Sequence, residues 1–294
     1  MILISVMCLP LNQGRLARAP RGAQGNVLVK LDKLRADKVV PSREQFASQI
    51  EALEQLAVAP LPANADVVIG ALLFEASLLG RQLGDTDGAV RCYDRLLALA
   101  DLDAYSRSHA LIEKATLLGR AHRVAELESL VNAYAAATDH DAELHKHLAA
   151  ILRRSRLMPG ATFPAATGTD LAGKPFATPI PGVRAAVVAF VRARDAHDLD
   201  ELRVIEAAVA KTADVRRLVV SVDLDPKAVV KAYQGRDAAG VVWQQGDTSL
   251  SALCGVLETP AFFVLDAAGK IITEADQGAT VVAALTRPAT GGRG

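Results

Sequence analysis

The chain has 294 residues, of which 51% are hydrophobic and 22% charged, with 33 basic and 33 acidic side chains and no net charge. That length suits two domains of ordinary size, and that hydrophobic content suits globular cores with disorder expected only at the ends. A net charge of zero supplies no overall field to recruit nucleic acid or an anionic membrane, so neither is expected as a partner.

The first eleven residues, MILISVMCLPL, are apolar but lack a basic start, and Ala17-Arg18-Ala19 is a small-x-small site with Pro20 just beyond it. Residues 1–41 are therefore read as an N-terminal segment, either a signal remnant or a flexible start. No apolar run reaches the roughly 18 to 20 residues that span a bilayer. The three cysteines, Cys8, Cys92 and Cys254, form neither a CxxC nor a metal-type pairing.

Ser42 opens the first clear helix. Ser42 and Gln45 have capping-box spacing, Phe46, Ile50, Leu53 and Ala57 follow on one face, and Pro60 and Pro62 end the element. From Val67 to Arg156 helix follows helix, over roughly 67–82, 87–100, 104–118, 122–137 and 141–155. Leu83-Gly84 and Leu118-Gly119 recur at an offset of 35 residues, close to the tetratricopeptide period of about 34. GDTDGAVRCYDRLLAL resembles the second half of such a repeat, with Gly84, Ala89 and Tyr93 in matching places, while the second copy keeps only the glycine. Residues 42–157 are thus expected to be an all-α domain of helical hairpins, tetratricopeptide-like.

Met158-Pro159-Gly160 breaks the last helix, and the pattern changes. Strands at 183–192, 216–223, 240–244, 261–266 and 270–275 alternate with helices at 197–211, 226–234, 248–256 and 279–286. Runs as apolar as Val187-Val188-Ala189-Phe190 and Leu218-Val219-Val220 belong to strands covered on both faces, so residues 158–287 are expected to be an α/β domain, followed by a disordered tail over 288–294.

This second half resembles the thioredoxin-like fold, and within it the TlpA/ResA-type branch related to the thiol-specific antioxidant proteins. PGATFPAATGTDLAGKPF is similar to that branch's leading segment, AAVVAFV to the strand that feeds the active-site helix, and ETPAFFVLDAAGKII to its threonine, cis-proline, strand and D-x-x-G turn. The family carries W-C-x-x-C-R at the junction. An ungapped alignment puts Arg194 on the tryptophan, Asp195 on the first cysteine, Ala196 and His197 between, and Asp198 on the second cysteine. Both thiols are absent, which removes dithiol-disulfide exchange and a peroxidatic cysteine from these positions.

A helix N-terminus that stabilises a thiolate stabilises a carboxylate equally well. Asp195 and Asp198 are accordingly read as caps of the helix that follows. An acid-base or divalent-metal site made of Asp195, His197 and Asp198 is the sharper alternative, weakened because three ligands from one helical turn rarely converge without a fourth from elsewhere. The resemblance implies that Pro260, after Thr259, is cis and helps to bind extended polypeptide, a role that needs no thiol. Arg194, His197, Thr259 and Pro260 are the expected binding residues. Cys254 is the one weak redox candidate, and a buried, inert cysteine is the simpler reading.

His140, Glu143 and His147 are placed on one helical face, as a solvated helix start rather than a zinc site. No phosphate loop and no G-x-S-x-G is present. The resulting expectation is a non-redox, polypeptide-binding scaffold or chaperone-like adaptor with no catalytic residue, no metal and no cofactor. The alternative is a thiol-disulfide oxidoreductase or peroxiredoxin-like protein that uses Cys254 or a partner's thiols. Location stays open between periplasm and cytoplasm, and the oligomeric state is not readable.

Overall fold

The computed structural model describes residues 30, 33–34, 41–57, 65–138, 140–234 and 238–286. The expectations for 1–41 fall almost wholly, and that for 288–294 wholly, outside the described residues. The chain divides into two compact units between Arg123 and Val124.

In the first unit a 3-10 turn, Glu44–Phe46, leads into α1 (Ala47–Ala57), followed by α2 (Ala65–Ser77), α3 (Thr86–Leu97) and α4 (Ala104–Arg120). The capping box at the start forms: the Ser42 N–H donates to Gln45 Oε1 at 2.8 Å, and the Gln45 N–H to Ser42 Oγ at 3.4 Å. α2 ends in a π-helical turn, Leu78–Gln82, after which Gly84 takes φ +68° and Asp85 caps α3 through the Gly88 N–H at 2.8 Å. Each helix packs on the next, around a core that includes Phe46, Leu72, Leu79, Ala89, Tyr93 and Leu96. The strongly amphipathic pattern of α3 is what turns Ala89, Cys92, Tyr93 and Leu96 inward together.

The second unit begins with α5 (Val124–Ala135) and α6 (Ala142–Ser155), which group with the C-terminal residues although the composition changes only after residue 157. The reason is the contacts of α6. Arg153 Nε donates to the Ala252 carbonyl at 2.8 Å, Arg154 pairs with Glu274 at 2.6 Å, and the Arg154 guanidinium lies 4.3 Å from the centre of the Phe263 ring.

An antiparallel hairpin follows, β1 (Ala166–Thr169) and β2 (Pro175–Thr178), which periodicity does not single out because each strand has only four residues. Then come β3 (Ala185–Val191), α7 (Ala196–Val209), β4 (Val215–Ser221), α8 (Pro226–Ala232), β5 (Val241–Trp243), α9 (Leu250–Leu253), β6 (Ala261–Asp266), β7 (Ile271–Ala275) and α10 (Gly278–Thr286). The sheet order is β5-β4-β3-β6-β7, with β3, β4 and β5 parallel to one another and β6 and β7 antiparallel to their neighbours.

All seven residues of β3 are buried, as its apolar run requires. Alternation sends Ala185, Val187, Ala189 and Val191 to the face covered by Leu202 and Ile205 of α7 and by Val281 and Leu285 of α10. Ala186, Val188 and Phe190 point to the opposite face, among Phe163, Leu250, Cys254 and Phe263. Two D-x-x-G-K turns, at Asp170 and Asp266, have one architecture. In each the first carboxylate accepts backbone N–H groups two and four residues on, at 2.8 to 3.0 Å, and the glycine has positive φ. Asp170 also accepts the Gly240 N–H at 2.8 Å and so ties the hairpin to the start of β5.

Candidate functional site

The register fixes where chemistry can gather. Phe190 of β3 pairs with both Val220 of β4 and Ala261 of β6, so the loop after β3, the loop after β4 and the segment before β6 emerge at one end of the sheet. β3 is also where the chain changes direction across the sheet, and such a crevice beyond the carboxyl ends of parallel strands is a natural binding place.

Asp195 caps α7. Its Oδ1 accepts the N–H of His197 at 2.9 Å and of Asp198 at 3.4 Å, which satisfies donors the first helical turn leaves unpaired. Asp198 turns inward instead and is 1% exposed. Its Oδ2 accepts the Arg192 N–H at 2.7 Å, which ties the first turn of α7 back to the end of β3. Burial pushes the Asp198 carboxyl above the ordinary aspartate range, and nearby Asp195 adds to the rise. The Arg192 N–H, the Thr259 hydroxyl and the Arg192 charge oppose it without cancelling it.

The end of β4 supplies a second carboxylate that sequence reasoning missed. Asp223 is 7% exposed, and its Oδ2 accepts the Ala193 N–H at 2.6 Å and the Ser221 hydroxyl at 2.8 Å. Its carbonyl accepts Trp243 Nε1 at 2.8 Å and Gln245 Nε2 at 2.9 Å. Trp243 is thus held by a polar bond while its ring packs against the α7-side core. Asp225 caps α8 just before Pro226, a cap-then-proline signal that the sequence does carry. Between these two anchored acids Leu224 is pushed outward and is 87% exposed.

The residues expected to bind are only partly brought together. Arg194 is exposed and turns toward β4, 3.2 Å from Asp225 and 3.8 Å from Asp223. His197 is exposed on α7. Thr259 is half-buried, Pro260 is buried, and the bond between them is cis, as the resemblance implied. Thr259 lies beside Asp198 at the start of α7, and its hydroxyl is one of the groups that lower the Asp198 carboxyl. The ladder between β3 and β6 ends at the Phe190–Ala261 pair, so Thr259 and Pro260 run on past it.

Asp195, His197 and Asp198 do not converge, since one caps its own helix, one faces solvent and one is buried. No group of three or more His, Cys, Asp or Glu side chains that could hold a metal occurs among the described residues. His140 lies ahead of α6, whose cap is Asp141, and its ring bonds the Ala137 carbonyl at 2.9 Å. It therefore shares no helical face with Glu143 and His147, a correction that follows from where the cap falls.

Cys254 closes α9 and is wholly buried in the cluster on the opposite face of the sheet from α7. Burial pushes its thiol up to about 12, against a smaller lowering effect of Arg154. Cys92, in the first unit, is likewise buried and pushed up to about 12 by burial, with Glu75 adding to the shift. Neither is poised to form a thiolate near neutral pH. Among the described residues no helix is long and apolar enough to cross a membrane.

No protein-family model matches this chain, and no curated protein matches it. Solved structures do. The thioredoxin domain of a thiol-disulfide oxidoreductase from Bacteroides vulgatus is 22% identical, covers 44% of this chain and 96% of its own, and has a TM-score of 0.37. A thiol:disulfide interchange protein from a Bacteroides species is 22% identical, with coverages of 47% and 96% and a TM-score of 0.38. A secreted disulfide oxidoreductase from Mycobacterium tuberculosis is 19% identical, with coverages of 41% and 93% and a TM-score of 0.35. These neighbours are thioredoxin-like and cover the C-terminal part of the chain.

Proposed function

We propose that the chain is a non-redox, thioredoxin-like polypeptide-binding protein, in which a tetratricopeptide-like helical unit precedes a domain whose two active-site thiols are replaced by Asp195 and Asp198. The observation that carries this reading is the wiring of those two carboxyls: one caps α7 and the other is buried against the Arg192 N–H, and neither can exchange a disulfide. The cysteine of this domain among the described residues, Cys254, is buried on the other face of the sheet.

An extended polypeptide would lie along the end of the sheet, beside the segment that runs past the β3–β6 ladder, where a strand-like backbone can add main-chain hydrogen bonds. Arg194, His197, Thr259 and Pro260 would line that course. Leu224, exposed and held between two anchored acids, would supply an apolar contact. Anisotropy of a fluorescent, reduced and alkylated polypeptide, titrated with the full chain, tests this. Saturable binding that Leu224→Asp weakens several-fold is expected, while no binding, or binding indifferent to that change, contradicts it.

A second reading is a thiol-disulfide oxidoreductase. It is favoured by the names of the solved neighbours, which are thiol-disulfide oxidoreductases and interchange proteins. It would need Cys254 or a partner's thiols to act, and so an opening of the face that buries Cys254.

A further inference from the structure

Val229 and Tyr233 of the α8 region turn into the α7-side core, whereas the neighbouring Val230 is 58% exposed. Val230 does not stand on a flat surface. It lines an open groove of about 570 Å³, together with Pro226 of the same helix, Leu171 of the β1–β2 turn and Ala238 ahead of β5. That volume is within the range of roughly 300 to 1,000 Å³ over which small-molecule sites fall. The parts of the lining outside α8 are held by backbone bonds: the Leu171 N–H donates to the Val241 carbonyl at 2.8 Å, and the Val241 N–H to the Ala238 carbonyl at 3.1 Å. One residue of β5 thus ties both, and the groove is formed without a ligand to shape it.

The charge of the lining is one-sided. Lys227 and Lys231 line the groove with Val230, at the spacings of three and four residues that put the three side chains on one stripe of α8. Both lysines are exposed, and neither ammonium has an acidic partner among the described residues. No acid is among the described residues that line the groove. The acids that adjoin it in sequence are already engaged. Asp225 accepts the Lys227 N–H at 2.9 Å and pairs with Arg194 at 3.2 Å, while Asp170 accepts the N–H groups of its own turn and of Gly240.

We infer that this groove binds a small amphipathic anion, with an alkyl or aryl body against Leu171, Val230 and Tyr233 and a single oxyanion head, such as a carboxylate or sulfonate, between Lys227 and Lys231. The apolar lining rewards removal of the body from water, and the lysine pair favours an anionic head over a neutral or cationic one. An inorganic anion has no body to bury, and an uncharged chain leaves the lysines without a partner, so affinity needs both ends of the ligand. The site lies beside β5, an edge strand of the sheet, and does not rest on the polypeptide-binding reading.

The test uses the full chain, with the aryl sulfonate dye anilinonaphthalene sulfonate as the probe. Dye fluorescence is titrated at low ionic strength, and proton–nitrogen NMR of the wild type locates the bound dye. One saturable site is expected, with amide shifts concentrated at Leu171, Val230, Lys231 and Ala238. Decanoate should displace the dye, while decyltrimethylammonium and decyl glucoside, which carry the same chain with the opposite charge or none, should not. Lys227→Glu combined with Lys231→Glu should weaken dye binding by about tenfold or more, and Val230→Asp should weaken it several-fold. These side chains are exposed, so the variants should keep the parent's circular dichroism and thermal midpoint. Shifts that fall elsewhere, dye binding indifferent to both lysines, or displacement by the neutral and cationic chains as readily as by decanoate would each overturn the inference, because each marks a bare apolar patch and not an anion site. The NMR localisation is read on wild-type protein and decides the matter even if a variant does not fold.

Discussion

At the residue scale two neighbouring aspartates on one helical turn have opposite surroundings. Asp195 is exposed and bonds its own helix start, whereas Asp198 is buried with a single backbone donor. The cap at Asp195 was legible, because an aspartate ahead of an amphipathic run is a strong helix-start signal. The inward turn of Asp198 was not, since capping preference places an acid near a helix start without saying which one the fold will bury. Asp223 was less legible still, as its partners at Ala193, Ser221 and Arg194 come from two strand ends. Replacing Asp195 with alanine leaves the first N–H groups of α7 without their acceptor and should lower stability by about 1 kcal/mol. Urea denaturation checks this, and a midpoint shift with unchanged m-value is the expected form.

At the element scale the α/β alternation was readable from apolar strand runs, and β3, β4, β5, β6 and β7 lie where the pattern placed them to within a few residues. The hairpin β1–β2 was readable only through the resemblance of its segment and D-x-x-G-K turn, since strands of four residues are too short for periodicity to show, and it is fixed by the Asp170 turn, the Gly240 tie and the packing of Ala166 and Phe176 on the core. Nor could the sequence show that α6 seats on the α9 end of the sheet. That packing depends on Gly255, which takes φ +62° after Cys254 and brings its backbone against the Ala150 carbonyl. A Cβ at Gly255 would overlap that carbonyl and strain the backbone as well. Gly255→Ala should therefore destabilise the protein by on the order of 2 to 4 kcal/mol. Faster hydrogen exchange at amides of α6 and α9 would locate the damage, and a variant as stable as the parent would show that α6 does not pack there.

At the scale of the whole molecule the chain has a helical unit and a unit built on a five-stranded mixed sheet, and the described residues at the end of that sheet bring together helix caps and buried acids. The division of labour was partly legible: the change in composition after residue 157 marks the start of the α/β pattern, but packing assigns α5 and α6 to the same unit as the sheet. Sequence patterns register what each element is and are blind to which neighbour it covers. The catalytic question turns on the fate of the three cysteines. Cys92 and Cys254 are buried with thiols pushed up to about 12, so neither supplies much thiolate at neutral pH.

Insulin-disulfide reduction by dithiothreitol in the presence of the full chain, with a CxxC thioredoxin as the positive control, addresses this most directly. A rate no faster than with dithiothreitol alone is the result predicted for a non-redox domain. A clear acceleration, abolished by replacing Cys8, Cys92 or Cys254 with serine, would contradict it.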